Sequence, residues 1–179
     1  MFRKIIATFF VLTLVLSLFG CGLDPVSSPV RKDAGSAAKR YLNTMAFSYE
    51  RLVDQLEFEG YSHEEAVKAV DECGADWDQQ ALKSAKHYLD TMAFSHDGLV
   101  KQLEFEKFTT EQAIYGADNC NANWKEQAVK KAKNYLGTMA FSKSGLAKQL
   151  EFEKFTSEEA AYGADNCGAD WNEQAAKKA

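Results

Sequence analysis

Cysteine, histidine and paired glutamate side chains are the groups in this 179-residue chain that could do chemistry. A thiolate can take up a lipid, bind a metal or enter a disulfide, and two carboxyl groups held together can act as acid and base. Cys21 follows an apolar segment, whereas Cys73, Cys120 and Cys167 recur at a constant spacing. These positions point to two different uses of cysteine.

Cys21 stands at the end of what we interpret as a secretory signal. Arg3 and Lys4 give a positive start, and residues 5–18 are almost wholly apolar, a run shorter than the ~20 residues of a membrane span. The string LFGC that ends at Cys21 is typical of a bacterial lipobox, although the phenylalanine departs from the small residue usual there. We expect lipid attachment at Cys21. The alternatives are an ordinary signal peptide with a chance cysteine, or an uncleaved anchor.

The segment boundaries follow from this interpretation. We predict a cleaved signal peptide over 1–20 and a lipid-anchored tether over 21–35, where two prolines and two serines disfavour a helix. The formal net charge is −5, and loss of Arg3 and Lys4 with the signal brings the mature chain to −7. An acidic surface disfavours nucleic acid as a partner and favours a soluble protein or a basic partner.

The rest of the chain repeats itself at an offset of 47 positions, as the steps from Tyr41 to Tyr88 to Tyr135 show. Three methionines, three cysteines and three tryptophans follow the same offset: Met45, Met92 and Met139; Cys73, Cys120 and Cys167; Trp77, Trp124 and Trp171. Chance similarity would not keep register over three copies. The prediction is an all-α fold of three tandem 47-residue three-helix (helix-turn-helix-like) repeats.

The copies are predicted at 36–76 (copy one), 77–123 (copy two) and 124–179 (copy three), the last with a capping helix that starts at Trp171. A unit of this size is near the lower limit for folding alone, so neighbouring copies should share packing. In copy two, Asp76 and Gln79 fit a capping box at the start of the first helix. One face of that helix is apolar at helical intervals: Trp77, Ala81, Ala85, Tyr88 and Met92.

The second helix of each copy is predicted to begin near Ser95 or its equivalent and to carry four apolar residues, and the tyrosines, phenylalanines and tryptophans of the repeat are spaced like a core. The four apolar residues are Leu52, Val53, Leu56 and Phe58 in copy one; Leu99, Val100, Leu103 and Phe105 in copy two; and Leu146, Ala147, Leu150 and Phe152 in copy three. The third helices open with capping-box pairs: Ser62 and Glu65, Thr109 and Gln112, Thr156 and Glu159. Their inward faces are small, as in Ala113, Gly116, Ala117 and Cys120, which lets another backbone come close.

The repeated cysteines favour a packing role. Equivalent positions in successive copies point the same way from different cores, so disulfide pairing is disfavoured, and three is an odd number. A metal would need further ligands, but no copy has a CxxC and the histidines are not repeated. We expect small, buried residues and neither a metal nor a cofactor.

The repeated glutamates flank a phenylalanine, and such i, i+2 pairs do not face each other on a helix. The pairs are Glu57 and Glu59, Glu104 and Glu106, and Glu151 and Glu153. We interpret them as a solvated acidic edge and not as a general acid and base. The chain also has no HExxH, GxSxG or glycine-rich phosphate loop, so we expect no enzyme.

One position of the third helix differs between copies. Tyr115 and Tyr162 stand where copy one has Lys68. These tyrosines either contact a partner or are partly buried against the next copy. The possible partner-binding residues are therefore Tyr115, Tyr162, Glu104, Glu106, Glu151 and Glu153.

The motif words AxxYLxTMAFS, GLxxQLxxExFT and AxxGADNCxADW resemble those of the Ltp family of host cell surface-exposed lipoproteins. Copy three reads AKNYLGTMAFSKSGLAKQLEFEKFTSEEAAYGADNCGADW. Copy one departs from the pattern, with Glu50-Arg51 where the second word has glycine and with Val70-Asp71-Glu72 in the third. The resemblance covers essentially the whole mature chain.

This resemblance implies small helical modules that are lipid-anchored on the outer face of a Gram-positive membrane. The founding members of the family are phage-encoded superinfection-exclusion proteins, which let phages adsorb but block DNA injection by engaging the incoming tape measure protein. The alternative is a chromosomal cell-envelope or adhesion lipoprotein that binds a wall or extracellular protein ligand. DNA binding, suggested by the helix-turn-helix-like modules, is opposed by export and by acidity.

Overall fold

The computed structural model describes residues 33–178, which form an all-α array with no strand in that range. The predicted signal, Cys21 and nearly all of the tether lie outside the described residues. The helices are α1 (Ala34–Thr44), α2 (Tyr49–Phe58), α3 (His63–Asp71), α4 (Trp77–Thr91), α5 (His96–Phe105), α6 (Thr110–Asn119), α7 (Trp124–Leu136), α8 (Lys143–Phe152), α9 (Ser157–Asn166) and α10 (Trp171–Lys178). Copies one to three contain α1–α3, α4–α6 and α7–α9, so the predicted tandem three-helix repeats are confirmed.

Polar caps fix where the helices begin. At α3, α6 and α9 both halves of the predicted capping box form, between Ser62 and Glu65, Thr109 and Gln112, and Thr156 and Glu159. At α2, α5 and α8 the N-cap is a serine whose hydroxyl accepts the backbone N–H three residues later: Ser48, Ser95 and Ser142. Each such cap stabilises a helix by about 1 kcal/mol, and together they set the register of the repeat.

The capping box predicted at the start of α4 forms only in part. The carboxylate of Asp76 accepts the N–H of Gln79, as predicted. The Gln79 side chain, however, donates from Nε2 to the hydroxyl of Tyr115 over 2.8 Å. The side-chain amide of Gln79 therefore bonds to a residue of α6 instead of to the backbone of Asp76, and the capping box stays incomplete.

Each copy has its own apolar core, and the tryptophan that begins the next first helix closes it. Trp77 packs against the core of copy one, Trp124 against that of copy two, and Trp171 of α10 against that of copy three. The ring of Trp77 meets Tyr49 edge to face, with centroids 5.5 Å apart. Neighbouring copies therefore share packing, as their size predicts.

The small inward faces of the third helices allow close packing on the first helices. A Cβ on Gly116 would lie 2.9 Å from the backbone carbonyl of Ala81, and one on Gly163 would lie 2.9 Å from that of Ala128. No side chain fits at those positions without a backbone shift. The prediction from the small-residue stripe is confirmed.

The repeated cysteines are free thiols at the ends of the third helices. Cys120 and Cys167 are buried and Cys73 is half-buried. Each thiol donates to a carbonyl three residues earlier in the chain, as Cys120 does to Ala117 over 3.0 Å. They pack as small apolar residues, which is the role predicted for them.

The second helices end on a residue in the left-handed region, at Gly60, Lys107 and Lys154, with φ of 89°, 64° and 71°. In copy two the N–H of Lys107 donates to Glu104 and that of Phe108 to Leu103, which is a Schellman motif. Glycine usually occupies such a position because a side chain there costs about 1–2 kcal/mol. Copies two and three therefore hold a lysine in a strained conformation.

Candidate protein-binding surface

Three phenylalanines that were assigned to the core lie at the surface instead. Phe58, Phe105 and Phe152 are 81%, 68% and 78% exposed. The buried leucine of the same helix stands two residues earlier, and two steps of about 100° place the phenylalanine on the opposite face. The assignment of these phenylalanines to the core is therefore wrong, and the leucines Leu56, Leu103 and Leu150 are the fully buried residues.

The methionine of each copy is the second exposed apolar residue. Met45, Met92 and Met139 are each about half exposed, at 51%, 47% and 53%. Met92 was predicted to continue the apolar face of the first helix. The helix ends at Thr91, however, and the extended backbone of Met92, with φ of −138°, turns its side chain away from that face.

The paired glutamates have two different environments. Glu106 is partly buried and accepts the Tyr88 hydroxyl over 2.9 Å. Glu59 and Glu153 accept the equivalent hydroxyls of Tyr41 and Tyr135. The helix C-cap turns these carboxylates back toward the first helix. The interpretation as a solvated edge is therefore wrong for Glu106 and Glu153, which are half-buried, whereas Glu59 makes the same contact and stays exposed.

These tyrosine contacts have a clear electrostatic effect. Burial, together with the hydrogen bond and charge of Glu106, raises the pKa of Tyr88 to about 12. Burial and the hydrogen bond to Glu153 raise the pKa of Tyr135 to about 12 as well. Both phenols therefore stay protonated and remain donors at any physiological pH.

The other member of each glutamate pair stays at the surface next to an exposed phenylalanine: Glu57, Glu104 and Glu151. Glu57 Oε1 lies 2.6 Å from Nδ1 of His63, and Glu104 Oε1 accepts the hydroxyl of Thr110 over 2.7 Å. We call Glu57 with Phe58, Glu104 with Phe105 and Glu151 with Phe152 the exposed Glu-Phe pairs. Each presents a carboxylate and an apolar ring from the same position of its copy.

Tyr115 and Tyr162 are half-buried, and both contact the first helix of their own copy. Tyr115 accepts from Gln79, as described above. The hydroxyl of Tyr162 donates to Glu126 over 3.5 Å, and Nζ of Lys125 lies 5.6 Å from the centre of its ring. Both tyrosines thus bond to the first helix of their own copy. Their role in partner binding stays a prediction.

Sequence reasoning missed the phenylalanines as surface residues, although the signal was present. Leu99 and Leu103, four residues apart, define the buried face of the second helix. Phe105 does not continue this spacing, so it lies on another face of the helix. Weighing phase instead of apolar character alone would have placed Phe105 outside.

The described residues do not form two other kinds of site. Within 33–178, no three His, Cys, Asp or Glu side chains come together in a way that could hold a metal ion. None of the helices in that range combines the length and the apolar character that crossing a membrane requires. The exposed Glu-Phe pairs, like the half-exposed methionines, recur on the surface of every copy.

Comparison with known proteins identifies the family. The family model described as host cell surface-exposed lipoprotein matches residues 30–72, 76–120 and 123–167, once per copy. No curated protein matches the chain significantly. A solved structure described as Ltp, a superinfection exclusion protein from the Streptococcus thermophilus temperate phage TP-J34, is 34% identical, over 51% of this chain and 96% of that one. Its TM-score is 0.49, so the superposition itself carries no weight. On the three matches to the family model, the chain belongs to the Ltp family of host cell surface-exposed lipoproteins.

Proposed function

We propose that this lipoprotein is anchored on the outer face of the cell membrane by a lipid on Cys21 and excludes superinfecting phages. It does so by binding an incoming phage protein, by resemblance the tape measure protein, and so blocks DNA injection. The observation that carries the proposal is the exposure of the same phenylalanine in all three copies. The exposed Glu-Phe pairs are the binding surface.

Energetics favour a binding role for these rings. One exposed apolar residue on a protein surface is ordinary; here an exposed aromatic ring recurs at the same position of all three copies. Burying a phenylalanine side chain contributes about 1.5–3 kcal/mol, and aromatic residues are frequent anchors of protein interfaces. Three such anchors on one chain raise the effective concentration of the second and third contacts once the first has formed.

Charge indicates the kind of partner. Each exposed ring has a surface carboxylate next to it in sequence, and the whole chain has a formal net charge of −5. Such a surface repels nucleic acid and anionic lipid headgroups and attracts basic protein segments. A protein partner fits this combination better than DNA or a membrane surface.

The test is expression of wild type and variants in a natural host, challenged with a panel of phages, with plaques and adsorption scored separately. Wild type should reduce plaques while adsorption stays normal. Replacing the three phenylalanines together (Phe58→Ala, Phe105→Ala and Phe152→Ala) should abolish protection at an equal surface level. Cys21→Ala should abolish it as well, because the protein is then no longer held at the site of injection.

The matched control is Ile114→Ala, which removes another exposed apolar side chain, 42% exposed, that the other copies do not share. It should leave protection unchanged. Full protection by the triple phenylalanine variant would mean that the exposed Glu-Phe pairs are not the binding surface. No protection by wild type against any phage would instead favour the envelope or adhesion role, which sedimentation with purified cell wall or extracellular protein would then test.

A further inference from the structure

The same hydrogen bond joins each copy to the next. Ser48 Oγ in copy one donates to the backbone carbonyl of Glu106 in copy two over 2.6 Å. Ser95 Oγ in copy two donates to that of Glu153 in copy three over 2.6 Å. Both serines are 1% exposed. Each junction thus pairs the N-cap of one second helix with the C-cap of the next.

This arrangement is head to tail, so within residues 33–178 copy one and copy three each keep a half of the junction that no neighbouring copy uses. Copy three presents Ser142, the equivalent of Ser48 and Ser95, and that residue is exposed. Copy one presents the C-cap residue Glu59, which is also exposed. An interface of this heterologous kind can continue from one molecule to the next, because the two faces differ and are complementary.

Copy three has a glycine at the position that Gly98 occupies in the second junction. A Cβ on Gly98 would lie 2.8 Å from Ser95 Oγ and 3.6 Å from the Glu153 carbonyl oxygen, whereas the first junction forms the same bond with Arg51 at this position. Copy three has Gly145 at this position, whose Cβ would lie 3.0 Å from Ser142 Oγ. The Ser142 face therefore has the same form as the face that Ser95 and Gly98 offer to copy three.

Charges at the two ends are also compatible. At the first junction Nζ of Lys107 lies 2.7 Å from Oδ2 of Asp54. Copy three carries Lys148 at the position of Asp54, and copy one carries Gly60 at the position of Lys107. Docking copy one on copy three would bring Gly60 toward Lys148, so this contact would lack the lysine pair, Lys101 and Lys154, that the repeat offset places at the second junction.

In a head-to-tail contact, α10 of one chain and α1 of the next would together take the place of one first helix. α10 supplies Trp171 to the third core, and Oε1 of Gln174 accepts the N–H of Phe141 over 3.4 Å. By the repeat offset, Ala175 of α10 and Ala34 of α1 are equivalent positions, so the last turn of α10 occupies the place that the first turn of α1 of an added chain would take. Ala175 is exposed, whereas its equivalents Ala81 and Ala128 are fully buried. This turn carries an ion pair between Lys177 and Glu173, and it would have to shift for the added chain to dock.

We propose that this protein associates head to tail with a second copy of itself, copy one of one chain docking on the Ser142 face of copy three of another. The contact repeats the junction between copies two and three, with Ser142 donating to the Glu59 carbonyl. Because the interface is heterologous, it extends beyond a dimer. The proposal does not depend on phage exclusion.

The experiment is site-directed cross-linking of the full-length lipoprotein in cells. Two differently tagged chains are expressed together, one with Ser142→Cys and one with Glu59→Cys, and treated with a short thiol-reactive cross-linker. A covalent heterodimer is expected only in the co-expressing cells. Each single variant expressed alone, and the chain with its native cysteines only, should stay largely uncoupled.

An internal pair calibrates the reaction. Ser95→Cys and Glu153→Cys in one chain occupy the existing second junction and should cross-link within the chain. Efficient closure of this pair without any heterodimer from Ser142→Cys and Glu59→Cys would overturn the proposal.

Two further variants in the heterodimer assay separate docking from random collision. Gly60→Asp should raise the heterodimer yield several-fold, because it offers Lys148 the kind of ion pair that Asp54 and Lys107 make at the first junction. Ending the chain after Gln174 should raise the yield, because the turn that overlaps α1 is gone. An unchanged yield in both variants would mean that the coupling does not arise from this interface.

Discussion

Nε2 of His96 lies 2.7 Å from Oδ1 of Asp118, and the same link joins the second and third helices in every copy. In copy one the hydroxyl of Tyr49 donates to Asp71 over 2.7 Å. In copy three Nζ of Lys143 lies 2.5 Å from Oδ1 of Asp165. Three different side chains thus make one contact beside the tryptophan that closes the core, and only the histidine of copy two titrates near neutral pH.

The first prediction is that the stability of the array depends on pH through His96. The carboxylates that face the imidazole are Asp118 on α6 and Asp97 on its own helix, and α7 contributes the uncharged Trp124 ring, 5.3 Å away. Partial burial lowers the pKa of His96, but the hydrogen bonds and charges of the two aspartates outweigh it and raise the pKa above 6.5.

The direction of this pH dependence follows from the linkage between proton binding and folding. A raised pKa in the folded state contributes stability that is fully present below the unfolded value of about 6.5 and is lost as pH rises through the folded pKa. Urea unfolding of wild type should therefore show a falling free energy of unfolding above pH 6.5. His96→Lys and His96→Tyr, which copy the other two links, should each flatten that dependence. An equally steep dependence in both variants would assign it to another group.

The second prediction concerns the two strained lysines. Lys154 has φ of 71°, and its side chain makes no ion pair or hydrogen bond within residues 33–178. Lys154→Gly should raise the free energy of unfolding by about 0.5–1 kcal/mol, the relief of strain less the added entropy of the unfolded chain. Lys107→Gly is the comparison and should gain less, because it also removes the ion pair to Asp54. Denaturant unfolding measures both. Equal gains would show that the ion pair contributes nothing.

The third prediction tests the close approach of α4 and α6. Gly116→Ala places a methyl group 2.9 Å from backbone atoms of Ala81, so it should cost about 1–3 kcal/mol. Gly137→Ala is the control, since its Cβ would meet nothing nearer than 3.6 Å at a position with helical φ. It should be neutral or slightly stabilising. Thermal unfolding of both variants measures the change in stability. An unchanged stability of Gly116→Ala would mean that α4 and α6 can move apart at little cost.

The fourth prediction separates the surface phenylalanines from the core ones. Phe105→Ala should change stability by no more than about 0.5 kcal/mol, because the ring is already in water. Phe108→Ala, three residues later and 5% exposed, should cost about 3–5 kcal/mol. A large loss of stability for Phe105→Ala would show that the ring is buried in solution and would remove the basis of the proposed binding surface.

Local patterns in the sequence predicted the elements well. The three capping boxes on the third helices formed because their donors and acceptors lie within four residues of each other and need no tertiary partner. The box at Asp76 was incomplete for the opposite reason, since Tyr115, distant in sequence, competes for Gln79. The prediction failed where a long-range contact offered the same donor another acceptor.

The sequence by itself determined the 47-residue repeat, the helix starts and the small faces of the third helices, because each depends on the types and spacing of residues close together along the chain. The predicted lipid anchor at Cys21 rests on that same kind of local pattern. Only the tertiary structure decided which glutamate of each pair turns to a tyrosine and which stays with an exposed phenylalanine. It also decided that a serine of one copy binds the carbonyl of the next. Those choices depend on how helices stack, and stacking is set by contacts between residues far apart in sequence.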